Sequence, residues 1–239
     1  MKKSIAFSLG LIFASVSISF AQDLDKILKM HYKAVGQKNI LNVKSIKATG
    51  SATGMMGGSS SFEMMNKRPG KLFVIVNFQG SEIKQAYDGE TAWMVNPMMG
   101  SSSAITVTGA EADGLKESAD MDGQLWNYKE KGHKLELDGP GEVDGKKVYV
   151  LKLSKKIGIT DYYYIDQESY LVNKLETKSM VNGSEVEVEV LLSNYNDVDG
   201  YMMPFKTVQI VGGQTVMTIE LEEVVFNEKI DDAVFKKPG

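Results

Sequence analysis

The chain has 239 residues, 43% of them hydrophobic, a formal net charge of −4 and no cysteine. This length fits one large β domain or two small ones. Without cysteine we expect no disulfide and no acylated lipoprotein anchor. An acidic chain without a basic cluster is a poor candidate for binding nucleic acid or an anionic membrane surface.

The first 21 residues predict a cleavable secretory signal peptide. Lys2 and Lys3 give a positive start, an apolar run follows over 5–18, and Ser19 and Ala21 are small residues just before the expected cut. The run is too short for a comfortable membrane span, which needs roughly 20 residues. We therefore expect an exported mature chain of residues 22–239 that does not span a membrane.

A first helix is predicted over residues 23–35. Leu24, Ile27, Leu28 and Val35 recur at the spacing of one helical face. Gly36 follows directly and is typical of the residue that ends a helix.

Alternating apolar residues and turn pairs then predict about ten or eleven strands. The predicted strands cover residues 46–51, 61–66, 71–78, 82–87, 91–96, 134–137, 146–154, 160–166, 170–180, 185–190 and 214–226. Pairs such as Asp88-Gly89, Asp144-Gly145 and Asp199-Gly200 mark short hairpin turns. Short turns give an antiparallel sheet, and so many strands curl. The predicted fold is mainly β, with one antiparallel curled sheet in a single domain.

Residues 109–131 interrupt the strand pattern and predict one broken helix or two short ones. Leu115, Leu125 and Trp126 fall near one helical face, whereas Gly114 and Gly123 weaken the helix. We expect this insert and the first helix to cover the apolar face of the sheet, loosely enough for an apolar guest to enter.

Methionine is unusually frequent, with 14 residues. The pairs are Met55-Met56, Met64-Met65, Met98-Met99 and Met202-Met203. Methionine fills gaps in a core, or forms surfaces that accept varied apolar partners. Its thioether also binds copper(I), but adjacent residues on a strand point to opposite faces and would not converge on one ion.

The sequence contains few groups suited to catalysis. It has no thiol, only two histidines, and none of the common hydrolase, metalloprotease or phosphate-loop motifs. We therefore predict no catalytic residue, no metal site and no cofactor. A hydrolase site assembled from distant residues stays open as an alternative.

Three stretches resemble LolA, the family of periplasmic lipoprotein carriers. Residues 67–73 (Lys-Arg-Pro-Gly-Lys-Leu-Phe) resemble the family's strand start, and residues 88–97 resemble its Asp-Gly-Lys-Thr-Leu-Trp-x-x-Asn-Pro segment. Residues 230–238 resemble a common ending of these domains. The resemblance covers most of 23–238 in order, and its specific part is 67–97.

This resemblance implies an unclosed β half-barrel with a helical lid and a cavity for acyl chains. Arg68 matches the family arginine that holds the lid shut, and its guanidinium can donate to several carbonyls. The other assignments follow from the same picture. The expected cavity residues are Phe73, Ile75, Trp93, Val95, Met217, Ile219 and Leu221, and the expected lid residues are Leu115, Leu125 and Trp126.

The function implied is that of a periplasmic carrier, not an enzyme. It would bind lipoprotein acyl chains or another lipid and deliver them toward the outer membrane, with transfer partners at the inner and outer membranes. The alternative is a non-catalytic envelope sensor or interaction module that binds a lipid or a partner protein with the same fold.

Overall fold

A computed structural model of the chain describes residues 12–54, 58–181 and 184–239. Its helices are α1 (Ile12–Val35), α2 (Gln37–Ile40) and α3 (Gly109–Ser118), with 3-10 helices at Pro97–Met99 and Asp232–Phe235. The strands are β1 (Ser45–Gly54), β2 (Ser59–Lys67), β3 (Lys71–Phe78), β4 (Ser81–Tyr87), β5 (Ala92–Asn96), β6 (Ser101–Val107), β7 (Lys134–Val143), β8 (Lys146–Ser154), β9 (Thr160–Asp166), β10 (Val172–Val181), β11 (Ser184–Val198), β12 (Tyr201–Val211) and β13 (Gln214–Phe226).

All 13 of these strands form one antiparallel sheet, in the order β6-β5-β4-β3-β2-β1-β13-β12-β11-β10-β9-β8-β7. Consecutive strands pair with each other, except β6 and β7, and the first strand also pairs with the last. Within the described residues, β6 and β7 are therefore the two edges. Residues 109–133, which we call the lid segment, connect one edge of the curled sheet to the other.

The prediction of a mainly β, single curled sheet is confirmed, but two of its strands were not predicted. β6 begins with three serines and reads as a polar loop. β12 contains Pro204, which pairs with Tyr195 next to Asn194, a residue with φ 52°. Proline cannot donate to a strand ladder and therefore argues against an interior strand, which is why the sequence did not predict β12.

Helices and sheet enclose three buried apolar clusters on the same face of the sheet, which is its concave face. The first joins α1 to β7, β8 and β9, the second joins α3 to β3, β5 and β6, and the third joins α2 to β1 and β13. Leu125 of the lid segment belongs to the first cluster, Leu115 to the second and Met121 to the third. The lid segment is therefore packed at three points along the sheet.

The first helix ends where the sequence predicts. Gly36 has φ 71°, and a Cβ at this position would lie 1.9 Å from the carbonyl oxygen of Gly200 in the β11–β12 turn. Only glycine allows this close approach of α1 to the sheet.

At its other end, α1 begins at Ile12 rather than at residue 23. The expected signal peptide covers residues 1–21, of which 1–11 lie outside the described residues. None of the described helices is both long and apolar enough to cross a membrane.

Candidate functional site

The centre of the concave face carries a continuous set of apolar side chains. One row of cross-strand neighbours runs Ile83, Val76, Phe62, Gly50, Leu221 over β4, β3, β2, β1 and β13. Cross-strand partners share a face of the sheet, so these side chains point the same way. The ring of Phe62 lies over Gly50, where a Cβ would come within 3.0 Å of it.

Two further rows extend this surface. Ile219 pairs with Ala52 and Thr207, and Met217 pairs with Gly54 and Gln209. We call the apolar surface formed by Phe62, Val76, Ile83, Met217, Ile219 and Leu221 the trough.

The trough is left partly open by the helices. None of its six side chains belongs to the three buried clusters, and Met217 is 37% exposed. Five of the six are half-buried. A concave apolar surface that retains contact with solvent can bind an apolar ligand without displacing the protein's own core.

The seven predicted cavity residues do not share one face. Met217, Ile219 and Leu221 lie in the trough, but Phe73, Ile75, Trp93 and Val95 lie on the convex face. Their strand neighbours Leu72 and Val74 pack against α3, and successive residues of a strand alternate between faces. The assignment of these four residues to the cavity is therefore corrected.

Trp93 is part of a separate contact on the convex face. Its Nε1–H donates a hydrogen bond of 2.7 Å to the carbonyl oxygen of Phe235. Phe235 is a fully buried residue of the segment 230–235, which we call the C-terminal segment. Its ring centroid lies 6.2 Å from that of Phe73. These residues attach the C-terminal segment to the outside of the sheet.

Arg68 connects the β2–β3 turn to both covering segments. Its Nε donates to the carbonyl oxygen of Val43 at 2.8 Å, and its Nη2 donates to that of Ile40 at 3.0 Å. The same Nη2 forms an ion pair with Asp122 of the lid segment, and the two side chains are 31% and 23% exposed. One guanidinium thus links the sheet, the loop after α2 and the lid segment.

Asp120 organises the turn that presents Asp122 to Arg68. Its carboxylate accepts hydrogen bonds from the backbone N–H of Asp122 at 3.1 Å and from the Gln124 amide at 3.2 Å. It also forms an ion pair with Lys131, whose ammonium donates to the carbonyl oxygen of Gly123 at 2.7 Å. The lid segment therefore has a hydrogen-bonded structure of its own beyond α3.

A buried ion cluster anchors the end of α3 to β8 and β9, in the other half of the sheet. The Lys155 ammonium lies 2.9 Å from Glu117 of α3 and 3.0 Å from Asp161 of β9. The side chains of Lys155 and Asp161 are each only 4% exposed. The Thr177 hydroxyl donates to the second oxygen of Asp161 at 2.5 Å. Burial raises the pKa of the neighbouring Tyr163, and the nearby Asp161 carboxylate raises it further.

The other predicted lid residue, Trp126, packs beside α1. Its ring meets that of Tyr32 edge-on, with centroids 5.0 Å apart. The Tyr32 hydroxyl donates to the carbonyl oxygen of Leu125 at 2.7 Å, and burial raises the pKa of Tyr32 to about 12. Tyr32 therefore ties the lid segment to the first helix.

Comparison with known proteins bears on this architecture. No protein-family model matches the sequence, and no curated protein matches it either. A DUF1329 family protein from Desulfovibrio piger superimposes with a TM-score of 0.60 at 14% identity, over 88% of this chain and 97% of that one. A LolA superfamily protein from Nitrosomonas europaea gives 0.57 at 13% identity, over 85% and 96%.

The chain has a LolA-like fold. A third structure, a putative outer membrane lipoprotein-sorting protein domain from Vibrio parahaemolyticus, gives a TM-score of 0.58 at 12% identity and covers 88% of this chain and 97% of that one. At these identities the likeness concerns the fold alone.

Several residues that define the candidate site were not predicted. Sequence reasoning singled out Arg68 but not its partner Asp122, and it missed the cluster of Glu117, Lys155 and Asp161. These residues are 38 and 44 positions apart along the chain, counted from Glu117, and no local pattern links them. A lysine and an aspartate at the ends of adjacent strands are the only signal, and it is a weak one.

The histidines have structural partners. His31 of α1 is buried, and its Nδ1–H donates to the carbonyl oxygen of Tyr170 at 2.8 Å. His133 contacts the Gln124 side chain at 3.2 Å and accepts from the backbone N–H of Lys156 at 3.1 Å. No group of three or more potential metal ligands occurs among the described residues.

Protonation of His31 should destabilise the docked α1. Burial lowers the pKa of His31 below its ordinary value of 6.5, so the unfolded chain binds a proton more readily than the folded chain. The free energy of unfolding should be at its full value above about pH 6.5 and fall as the pH drops below it. Urea unfolding between pH 7.5 and 5.5 measures this. His31→Gln should flatten the dependence, and an unchanged slope would contradict the assignment. Partial burial and the nearby Lys131 also lower the pKa of His133, so His133→Gln is measured separately and should remove a further part of the dependence.

The methionine pairs have different environments. Met64 packs on the second buried cluster and Met203 on the third, while their neighbours Met65 and Met202 follow the opposite alternation. Met98 and Met99, at the β5–β6 turn, are 57% and 73% exposed. Met55-Met56 lies outside the described residues.

Proposed function

We propose that the protein is an exported, non-catalytic carrier that binds the acyl chains of a lipoprotein or another lipid in the trough. The observation that carries the proposal is the half-exposed apolar trough on the concave face, the face to which the lid segment is attached in part by polar contacts. Burial of acyl methylenes supplies about 0.8 kcal/mol each, so several methylenes suffice for useful affinity.

The polar attachment of the lid segment fits a carrier better than a permanent container. Cargo must be released, so its affinity has to be moderate. The ion pair between Arg68 and Asp122 keeps some contact with water, because the two side chains are 31% and 23% exposed. Water can take the place of each partner when this contact opens. We further propose that loading and release occur in the periplasm, with membrane-associated partners on each side.

A substitution in the trough tests the proposal against a matched control. Met217 and Val225 lie on the same strand, β13, and each is 37% exposed. Met217 faces the trough, whereas Val225 pairs with Lys47 on the convex face. We expect Met217→Glu to weaken binding of a fluorescent acyl probe about tenfold or more. The acyl chain of the bound probe would bury the new carboxylate, which is unfavourable.

Val225→Glu should bind the probe like the unaltered protein. Equal binding by the two variants would contradict the trough as the site. Absence of both probe binding and bound lipid, together with a stable complex with one envelope protein, would favour the sensor alternative instead.

A further inference from the structure

A cavity separate from the trough lies between α1 and the lid segment. Its volume is about 970 Å³, and its lining contains helix and loop residues with no strand residue. Small-molecule sites typically occupy about 300–1,000 Å³. We call this cavity the basic cleft. It is separate from the trough, whose six defining residues all belong to strands.

The floor of the basic cleft is apolar and aromatic. Leu28 and Tyr32 contribute from α1, and Trp126 and Tyr128 contribute from the lid segment. Tyr32 and Trp126 hold each other edge-on at 5.0 Å, and the Tyr32 hydroxyl is already satisfied by Leu125. The floor therefore offers mainly aliphatic and ring surface, which suits a hydrocarbon chain.

The rim carries an excess of positive charge. Lys29, Lys33, Lys38 and Lys129 line the cleft, against only two acids, Asp25 and Glu130. All four lysines are exposed, and none of them forms an ion pair with any carboxylate in the described ranges. This local excess occurs on a chain whose net charge is −4.

We propose that the basic cleft binds one single-chain anionic amphiphile, with its chain on the aromatic floor and its carboxylate or phosphate among the rim lysines. An apolar floor with a cationic rim complements both ends of such a molecule. The proposal does not depend on an acyl chain in the trough, because the two surfaces share no residue.

Calorimetric titration of the full mature chain with dodecanoate, below its micelle concentration, tests the proposal. One dodecanoate should bind per chain, and neutral dodecanol should bind about fivefold to tenfold more weakly, since the ion pairs are lost. The double variant Lys33→Gln/Lys129→Gln should bind dodecanoate more weakly by the same factor. Lys146→Gln/Lys147→Gln removes equal charge at exposed positions on β8 and should change nothing.

Tryptophan fluorescence locates the ligand. The chain has two tryptophans; Trp126 lines the basic cleft, whereas Trp93 is 2% exposed on the opposite side of the sheet. Dodecanoate should change the emission, and Trp126→Phe should remove the change. Persistence of the change in Trp126→Phe would overturn the site, as would equal losses in the two lysine double variants.

The trough variant separates this proposal from the proposed function. Met217→Glu should leave dodecanoate binding unchanged while it weakens binding of the acyl probe. Loss of dodecanoate binding in Met217→Glu would place the ligand in the trough and overturn the basic cleft. Binding to anionic vesicles without binding to monomeric dodecanoate would overturn it as well, in favour of a membrane-contact surface.

Discussion

Replacing Lys155 with Met should lower the free energy of unfolding by about 3–5 kcal/mol, because it leaves Asp161 charged and buried without its partner. The Asp161 side chain is only 4% exposed and would keep only its bond from Thr177. Urea unfolding at neutral pH measures the loss. Lys134→Met is the control, since Lys134 is 71% exposed and its ion pair with Glu136 contributes little.

A second variant separates the loss of a pair from the loss of packing. If the cost comes from the uncompensated carboxylate, Lys155→Met/Asp161→Leu should recover most of the stability, because replacing a whole buried pair with apolar residues is often neutral. Glu117 can then turn toward water, since it is already 30% exposed. A double variant no more stable than Lys155→Met would contradict this explanation.

Replacing Arg68 with Leu should speed the entry of an acyl probe about tenfold or more, because the lid segment loses its ion pair with Asp122. The substitution also removes the bonds to Ile40 and Val43, and each bond to a charged group contributes about 1.5–3 kcal/mol. Stopped-flow fluorescence measures the association rate. Arg68→Lys should resemble Arg68→Leu, because one ammonium cannot reproduce the planar fork of donors that reaches three acceptors.

Lys67→Leu provides the neighbouring control for this experiment. Lys67 is also a cation at the end of β2, but its ammonium donates to the carbonyl oxygen of Ile230 at 2.8 Å and pairs with Asp232 at 3.0 Å. Both partners belong to the C-terminal segment rather than to the lid segment. Probe kinetics that change equally in Lys67→Leu and Arg68→Leu would show that Arg68 has no special role in closing the lid segment.

Local signals predicted the hairpins well. The Asp88 carboxylate accepts from the backbone N–H groups of Glu90 and Thr91 at 2.9 and 2.7 Å, so this turn is stabilised by its own residues. Asp144-Gly145 and Asp199-Gly200 both adopt positive φ at each position, as tight hairpins require. These features depend on neighbours in the sequence, and they are therefore visible in it.

The face of each strand was harder to predict. Residues 72–76 are apolar at every position, so alternation cannot tell which side chains face the helices. The structure shows that Leu72 and Val74 do. Trp93 instead bonds to the C-terminal segment on the convex face, and the ring of Phe73 lies beside that of Trp93. That choice depends on where residues 230–235 dock, and no pattern within β3 or β5 contains this information.

The sequence predicts the mainly β class, the end of the first helix at Gly36, most strands, and the stretches around Arg68 and Asp88 that resemble LolA. These follow from local periodicity, turn chemistry and short motifs. Only the folded structure shows which apolar residues form the trough, that Arg68 pairs with Asp122, and that Lys155 bridges Glu117 and Asp161. Each depends on the curl of one sheet of 13 strands, which brings together residues that are distant in sequence.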